Sequence, residues 1–140
     1  MKNKAPLTLM EQLIMILVFA LAAAVCLQLF VLSNNMSANM ATQEQALVAV
    51  QNTAESLKLL QGDFDRLPDS CGGERTAEGW KICYDKNWEI TDEEKAVYTV
   101  EAAAFDDHVA LMGSARVTAA ERNGKQLFQV TVSWQEECDE

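Results

Sequence analysis

A long apolar run dominates the first part of the chain. Residues 12–32 carry no formal charge, and Gln12 and Gln28 are their only clearly polar members. At 1.5 Å rise per residue, a helix over this run is about 30 Å long, which matches the hydrocarbon core of a bilayer. The run is too long for the apolar stretch of a secretory signal, which has about 7–15 residues. The pattern predicts a membrane-spanning helix over residues 7–32.

The helical pattern continues beyond the apolar run. No Pro or Gly interrupts residues 7–61, and Gly62 is a natural C-terminal cap. We therefore predict one helix over 7–61, whose second half, residues 33–61, is amphipathic. Its apolar stripe has steps of three, four and seven residues and consists of Met36, Met40, Leu47, Val50, Ala54 and Leu57.

After Gly62 the period of the pattern changes from about 3.6 to 2. Residues 63–79 are rich in Gly and predict a loop with one short helical turn. Two short runs, 81–84 and 88–90, flank a predicted turn, and residues 97–105 predict a further strand. The region 62–140 is therefore expected to form a loop followed by an antiparallel sheet.

The final hairpin is predicted residue by residue. Asn123-Gly124 is a type I′ turn signal between two alternating runs, and a two-residue loop pairs Arg122 with Lys125. This register puts one apolar face on the hairpin. The apolar pairs are Ala119 with Phe128, Val117 with Val130, Ala115 with Val132, and Gly113 with Trp134.

The apolar face of this hairpin needs a cover, and the helix stripe over 47–57 is the available partner. We therefore expect an α+β fold. Its long N-terminal helix spans the membrane in its first half and packs on a small antiparallel β-meander in its second half.

The distribution of charge predicts orientation and partners. Lys2 and Lys4 precede the apolar run, and the next basic residue is Lys58, so the N-terminus is expected in the cytoplasm and the C-terminal domain outside it. From Ser33 onward the chain has nine basic and 20 acidic residues, a net charge of −11. Such a domain repels nucleic-acid phosphates and anionic lipid headgroups. We interpret the charge as keeping an exported domain soluble, with no nucleic acid bound.

Three of the four cysteines lie in the predicted exported region. Cys26 falls inside the membrane span, and Cys138 lies in an acidic tail. Cys71 and Cys83 are the candidate disulfide pair, because they would close a short Gly-rich loop. Three free thiols are the alternative.

Other sequence features do not predict a catalytic or metal site. Residues 85–89 begin like a calcium loop, but Ile90 stands where that loop needs Gly. The cysteines and the single histidine, His108, lack the close spacing of a zinc site, and no nucleophile signature lies near His108. We expect no metal, no cofactor and no enzymatic activity. Packing is the expected role of the three tryptophans, Trp80, Trp88 and Trp134.

The segment Leu7-Thr8-Leu9-Met10-Glu11, directly before the apolar run, resembles the type IV prepilin signature. In that family an aromatic or aliphatic residue followed by Thr-Leu-Ile-Glu opens the pilin helix. The resemblance covers Pro6 to about Leu32, and the pilin-like layout extends it loosely over the whole chain. It implies that a membrane prepilin peptidase removes a short basic leader, residues 1–6, by cleavage between Pro6 and Leu7. Methylation of the new amine would follow.

The resemblance also gives Glu11 a role as the fifth mature residue. A carboxylate costs about 2.5–3.5 kcal/mol at the centre of a membrane helix, and less near the interface. Pairing with the terminal amine of a neighbouring subunit would offset that cost only in the assembled state. Glu11 would therefore drive ordered addition of pilin-like subunits.

Two features of this segment leave alternatives open. The family leader normally ends in Gly, whereas Pro6 occupies that place and should hinder binding as an extended substrate. A cut after Ala5 instead would make Glu11 the sixth residue. Thr8 and Glu11 also fit a capping box, in which Thr8 caps the helix and Glu11 bonds back.

The functional expectation is a pilin-like structural subunit, a minor pilin or pseudopilin of a type IV pilus, a type II secretion system or a DNA-uptake filament. Its partners would be membrane lipid, prepilin peptidase and other pilin-like subunits. The alternative is a signal-anchored protein whose acidic domain binds a partner and never polymerises.

Overall fold

The computed structural model describes residues 4–106 and 108–136. A 55-residue helix, α1, spans Ala5–Leu59. The chain divides into two compact units, Met1–Ala41 and Thr42–Glu140. The described side chains of the first unit are all exposed, and an 18-residue window of α1 has a mean hydropathy of 2.8. Helix α1 is thus long and apolar enough to cross a membrane.

The second unit is a helix on a five-stranded antiparallel sheet, and this confirms the predicted α+β fold. The strands follow chain order across the sheet, β1-β2-β3-β4-β5, so the sheet is a meander. A single 3₁₀ turn, Glu93–Lys95, precedes β3. The remaining elements are α2 (Leu67–Cys71), β1 (Glu74–Arg75), β2 (Gly79–Tyr84), β3 (Tyr98–Phe105), β4 (Met112–Glu121) and β5 (Gln126–Gln135).

One face of the last turns of α1 forms the core together with the sheet. Val50, Ala54 and Leu57 are buried there, as the stripe predicted. Thr53 is buried among them, and its hydroxyl donates a hydrogen bond to the Ala49 carbonyl at 2.9 Å, which satisfies its buried polar group. The sheet contributes the inward side chains of its three central strands, namely Trp80, Ile82, Val100, Ala102, Ala115, Val117 and Ala119.

The N-terminal part of the predicted stripe does not belong to this core. Met36 and Met40 are more than half exposed, and Leu47 is half-buried, whereas Ala46 is fully buried. Both methionines precede Thr42, where the second unit begins. The spacing of apolar residues predicted a stripe that extends beyond the part of the helix covered by the sheet.

Strands β4 and β5 pair in the predicted register, which is confirmed along most of the hairpin. The apolar face packs on the core and the polar face points away from it. The confirmed inward pairs are Ala119 with Phe128, Val117 with Val130, Ala115 with Val132, and Gly113 with Trp134.

The predicted type I′ turn is wrong. Such a turn requires positive φ at both central residues, and only Gly124 has one (φ 90°), whereas Asn123 does not. The Gly124 N–H donates to the Glu121 carbonyl at 2.9 Å, and the Glu121 N–H donates to the Lys125 carbonyl at 2.8 Å, which closes a three-residue loop over 122–124. A bulge at Leu127 then restores the register. Since the bulge places Leu127 and Phe128 side by side, both pack against the core.

The predicted turn between residues 81–84 and 88–90 is present, since the Trp88 N–H donates to the Asp85 carbonyl at 3.1 Å, but residues 88–90 are not a strand of the sheet. Strand β2 pairs along its whole length with β3, from Gly79 opposite Ala103 to Tyr84 opposite Tyr98. Residues 88–90 make only an isolated bridge, between Ile90 and Tyr84. The longer strand β3 offers β2 a complete ladder, which a run of three residues does not.

Helix α1 ends in a Schellman motif that differs from the prediction by one residue. The Gly62 N–H donates to the Leu57 carbonyl at 3.0 Å, and the Gln61 N–H donates to the Lys58 carbonyl at 3.1 Å. The left-handed position usually taken by Gly is therefore occupied by Gln61, with φ 51°. Gly62 follows it and also has positive φ (80°).

Gly62 is required for a second reason, because it lies against the indole of Trp134. A Cβ on Gly62 would come within 2.1 Å of that ring. A Cβ on Gly113, the cross-strand partner of Trp134, would come within 2.4 Å of it. Two glycines thus form a slot that holds the Trp134 ring between the end of α1 and strand β4.

Adjacent substitutions at the helix end should have opposite effects on stability. Gln61→Gly relieves a left-handed non-glycine residue and should stabilise the second unit by about 0.5–1 kcal/mol. Gly62→Ala introduces strain and displaces Trp134, and should destabilise it by about 1–3 kcal/mol. Urea unfolding of the full chain in detergent, followed by tryptophan fluorescence, measures both changes. Equal effects of the two substitutions would contradict this assignment of the motif.

Candidate functional site

The start of α1 carries the residues singled out for processing and assembly. Lys4 precedes the helix, and Pro6 is its second residue. Proline is tolerated in a first turn, because the N–H that it lacks has no partner within the helix there. Pro6 and Leu7 both lie in helical backbone, so a peptidase that cleaves between them needs the first turn to open.

Thr8 lies inside the first turns of the helix and does not cap it. Its hydroxyl donates to the Lys4 carbonyl at 3.1 Å, and its backbone N–H donates to the same oxygen at 3.2 Å. An N-cap threonine instead accepts a hydrogen bond from a backbone N–H further along the chain. The capping-box interpretation of Thr8 and Glu11 is therefore wrong, because the helix begins at Ala5, four residues earlier than a cap at Thr8 requires.

Glu11 projects from α1 among apolar side chains. Its surroundings on the helix surface are Leu7, Met10, Ile14 and Met15. Helix positions three and four residues away are the ones that reach such a side chain, and here they are Leu7, Thr8, Ile14 and Met15. Within the described residues no cation or hydrogen-bond donor contacts the Glu11 carboxylate. Any partner for this charge has to come from another molecule or from the three residues before Lys4.

The two candidate disulfide cysteines lie on opposite faces of the sheet, and both are free thiols. Cys71, at the end of α2, packs against the core together with Tyr84. Cys83 precedes Tyr84 in β2, and alternation along the strand turns it to the other face. The short loop between the two cysteines suggested the pair, but loop length does not indicate the face of the sheet on which each thiol lies. Cys138 lies outside the described residues.

The segment that resembled the start of a calcium loop is a backbone-bonded turn. One Asp85 carboxylate oxygen accepts the N–H groups of Asn87 (2.8 Å) and Glu89 (3.0 Å). This arrangement uses the carboxylate to hold the turn. In the part of the chain that the structure describes, no three His, Cys, Asp or Glu side chains are grouped as metal ligands.

The tryptophans pack, as expected, but Trp88 does so with a backbone conformation that its residue type does not predict. Trp80 is buried, and its indole N–H donates to the Gly72 carbonyl at 2.8 Å. Trp88 has φ 61° and stacks on Tyr98 with ring centroids 4.4 Å apart and planes at 8°. The turn at Asp85 forces this left-handed conformation, which propensity does not predict for Trp. The stack closes one end of the core.

Comparison with known proteins adds no family assignment. No protein-family model, curated protein or solved structure matches the chain. The function proposed below therefore rests on residues and geometry.

Thiol reactivity should separate the two cysteines. Burial raises the pKa of the Cys83 thiol, so less of it is thiolate at neutral pH. We expect iodoacetamide to modify Cys71 in the folded chain well before Cys83, and Cys83 labelling to increase as the pH rises through its elevated pKa. Peptide mapping by mass spectrometry measures both sites. After unfolding without reductant, both should be alkylated completely, and protection of both until reductant is added would show a disulfide.

Proposed function

We propose that this chain is a pilin-like structural subunit, a minor pilin or pseudopilin of a type IV pilus, type II secretion or DNA-uptake filament. The observation that carries the proposal is Glu11, an acidic residue on an apolar helix, without a partner among the described residues. A charge in such a setting is costly unless another molecule neutralises it. Assembly with like subunits supplies such a molecule, in the form of a neighbour's terminal amine.

The layout of the chain supports the same proposal. Helix α1 is apolar in its first part and amphipathic in its last turns, where it packs on a meander sheet. In the proposed arrangement the apolar part lies in the membrane, and later in a filament core of similar helices. The amino end faces the cytoplasm, and the acidic domain is extracytoplasmic. Prepilin peptidase and the other pilin-like subunits are the proposed partners, and no catalytic role is assigned.

A specific observation favours a second candidate, a signal-anchored protein that binds a partner and does not polymerise. Pro6 stands at the proposed cleavage point, and it lies in the first turn of α1. Proline there resists the extended conformation that a peptidase requires. An uncut chain would keep its leader and remain a single-pass anchor.

The state of the N-terminus distinguishes the two candidates. We expect the intact mass of the membrane-extracted chain to show loss of residues 1–6 and one added methyl group. Pro6→Gly restores the family residue and should raise the processed fraction. A terminus that remains at Met1 or Lys2 in both chains, without co-purifying pilin-like subunits, would contradict the filament proposal.

Glu11 should be required for assembly but not for insertion. Glu11→Ala removes the charge that a neighbour must neutralise, so membrane insertion should persist while assembled material falls at least about tenfold, which corresponds to about 1.4 kcal/mol. The amount of co-assembled subunits in the sheared surface fraction measures this. Glu44→Ala is the matched control, since Glu44 is an exposed acid of the same helix. Equal assembly of both variants would show that Glu11 has no such role.

A further inference from the structure

Among the strands that the structure describes, β5 lies at one edge of the sheet. The strand order leaves β5 with a single neighbour, β4, and the opposite edge strand, β1, has only two residues. Strand β5 has ten residues, none of them charged, and contains no Pro or Gly. Long uncharged edges are templates for pairing with another strand, and most proteins protect them with charges, proline or a cover.

The backbone of β5 presents a regular row of free hydrogen-bonding groups. The Glu136 N–H donates to the Leu111 carbonyl at 3.0 Å, so this pair is of the hydrogen-bonded type. In an antiparallel ladder such pairs recur at every second residue, and the residues between them point their N–H and C=O groups outward. On β5 these are Gln129, Thr131 and Ser133. Among the described residues nothing hydrogen-bonds to their outward groups.

The side chains of β5 have a self-complementary order centred on Thr131. Reading outward in both directions, the strand has Val on each side, then a polar residue, then an aromatic residue. The order along the chain is Phe128, Gln129, Val130, Thr131, Val132, Ser133, Trp134. An antiparallel copy centred on Thr131 therefore matches every residue with one of its own kind.

We infer that β5 pairs antiparallel with β5 of a second copy of this chain, about a two-fold axis through Thr131. Thr131 would face Thr131 of the second copy and exchange two backbone hydrogen bonds with it. Gln129 would face Ser133 of the second copy in the same way. The outward residues are all odd-numbered, so this register joins outward groups to outward groups.

Packing supports the same register. The inward side chains of β5 are only half-buried, whereas those of its neighbour β4 are fully buried. Pairing would place Val130 beside Val132 of the second copy and Phe128 beside Trp134 of the second copy. Cross-strand aromatic and β-branched pairs of this kind stabilise sheets. One continuous ten-stranded sheet would result from the two five-stranded ones.

The charge of the chain also favours β5 as the place where two copies meet. The net charge is −10, so surfaces bearing acidic residues repel each other between copies. The other long strands each carry an acidic residue, Glu101 in β3 and Glu121 in β4, whereas β5 carries none. A contact along β5 in this register brings nine uncharged residues of each strand, 127–135, opposite one another.

This contact differs from the assembly proposed above. Rotation about a two-fold axis perpendicular to the sheet reverses every direction in the plane of the sheet. Helix segment 42–59, which packs on the sheet, therefore runs in opposite directions in the two copies. These helix segments are thus antiparallel in the paired copies, whereas the helices of subunits packed side by side in a filament are parallel. Substitutions at Thr131 and at Glu11 should therefore act independently.

Cysteine cross-linking tests the register. In a full chain with Cys26, Cys71 and Cys138 changed to Ser and Cys83 changed to Ala, folded as judged by tryptophan fluorescence, Thr131→Cys should form a disulfide-linked dimer in detergent. Facing residues of a hydrogen-bonded pair have Cα atoms about 5.5 Å apart, within the range for a disulfide of about 4.4–6.8 Å.

Neighbouring positions provide the controls for this cross-link. Gln129→Cys and Ser133→Cys should each form no disulfide cross-link alone, because each is about 14 Å from its own counterpart in the paired copy. Mixed together, the two variants should cross-link to each other. Cross-linking of either single variant as fast as Thr131→Cys, or no cross-link at Thr131, would overturn the proposal.

Association without cross-links gives a second measurement. Thr131→Lys puts two like charges at the axis, and Thr131→Pro removes an outward N–H without touching the ladder to β4. Both should shift the native chain from dimer to monomer in sedimentation velocity in detergent. At a protein concentration low enough for all chains to be monomeric, their urea midpoints should match that of the native chain. Gln51→Lys, on the exposed side of α1, should leave the dimer intact. A dimer that persists in both Thr131 variants would overturn the proposal.

Discussion

The contact between the last turns of α1 and the inward face of the sheet is the one on which the rest of the second unit depends. The described strands form a single meander sheet, and its apolar face is buried by the helix together with Leu67 and neighbouring residues of the segment that follows it. Small side chains are buried on both sides of this contact, Ala46 and Ala54 on the helix and Ala102 and Ala115 on the sheet. Larger residues, with Leu57 and Trp80 among the largest fully buried, fill the space around them.

A second contact with the sheet lies where the chain leaves the helix. Gln61 adopts a left-handed conformation that costs free energy, and Gly62 brings the backbone directly against Trp134. Gly113 supports the other side of the same ring. The end of α1 is thus joined to the hairpin farthest from it in sequence. This contact links helix and sheet in addition to the core.

The start of α1 differs from its end, because a charged carboxylate there lacks a partner among the described residues. In the described residues Glu11 has neither a cap to make nor a cation to pair with, and its neighbours are apolar. The outer edge of β5 likewise presents backbone groups without described partners. Both features are stable only where something else satisfies them, such as water at the strand edge or another molecule at the helix.

Local patterns in the sequence determined the helix, the α+β class and most of the β4–β5 register, because period and alternation act between residues close along the chain. They failed where the deciding partner is remote. The final hairpin closes through a bulge, so that Leu127 also reaches the core, and Cys71 and Cys83 lie on opposite faces of the sheet. The motif at Leu7–Glu11 was visible in the sequence, but only the early start of α1 at Ala5 excluded capping for Glu11. The open edge of β5 became visible only with the strand order, since which strand lies outermost depends on the whole sheet.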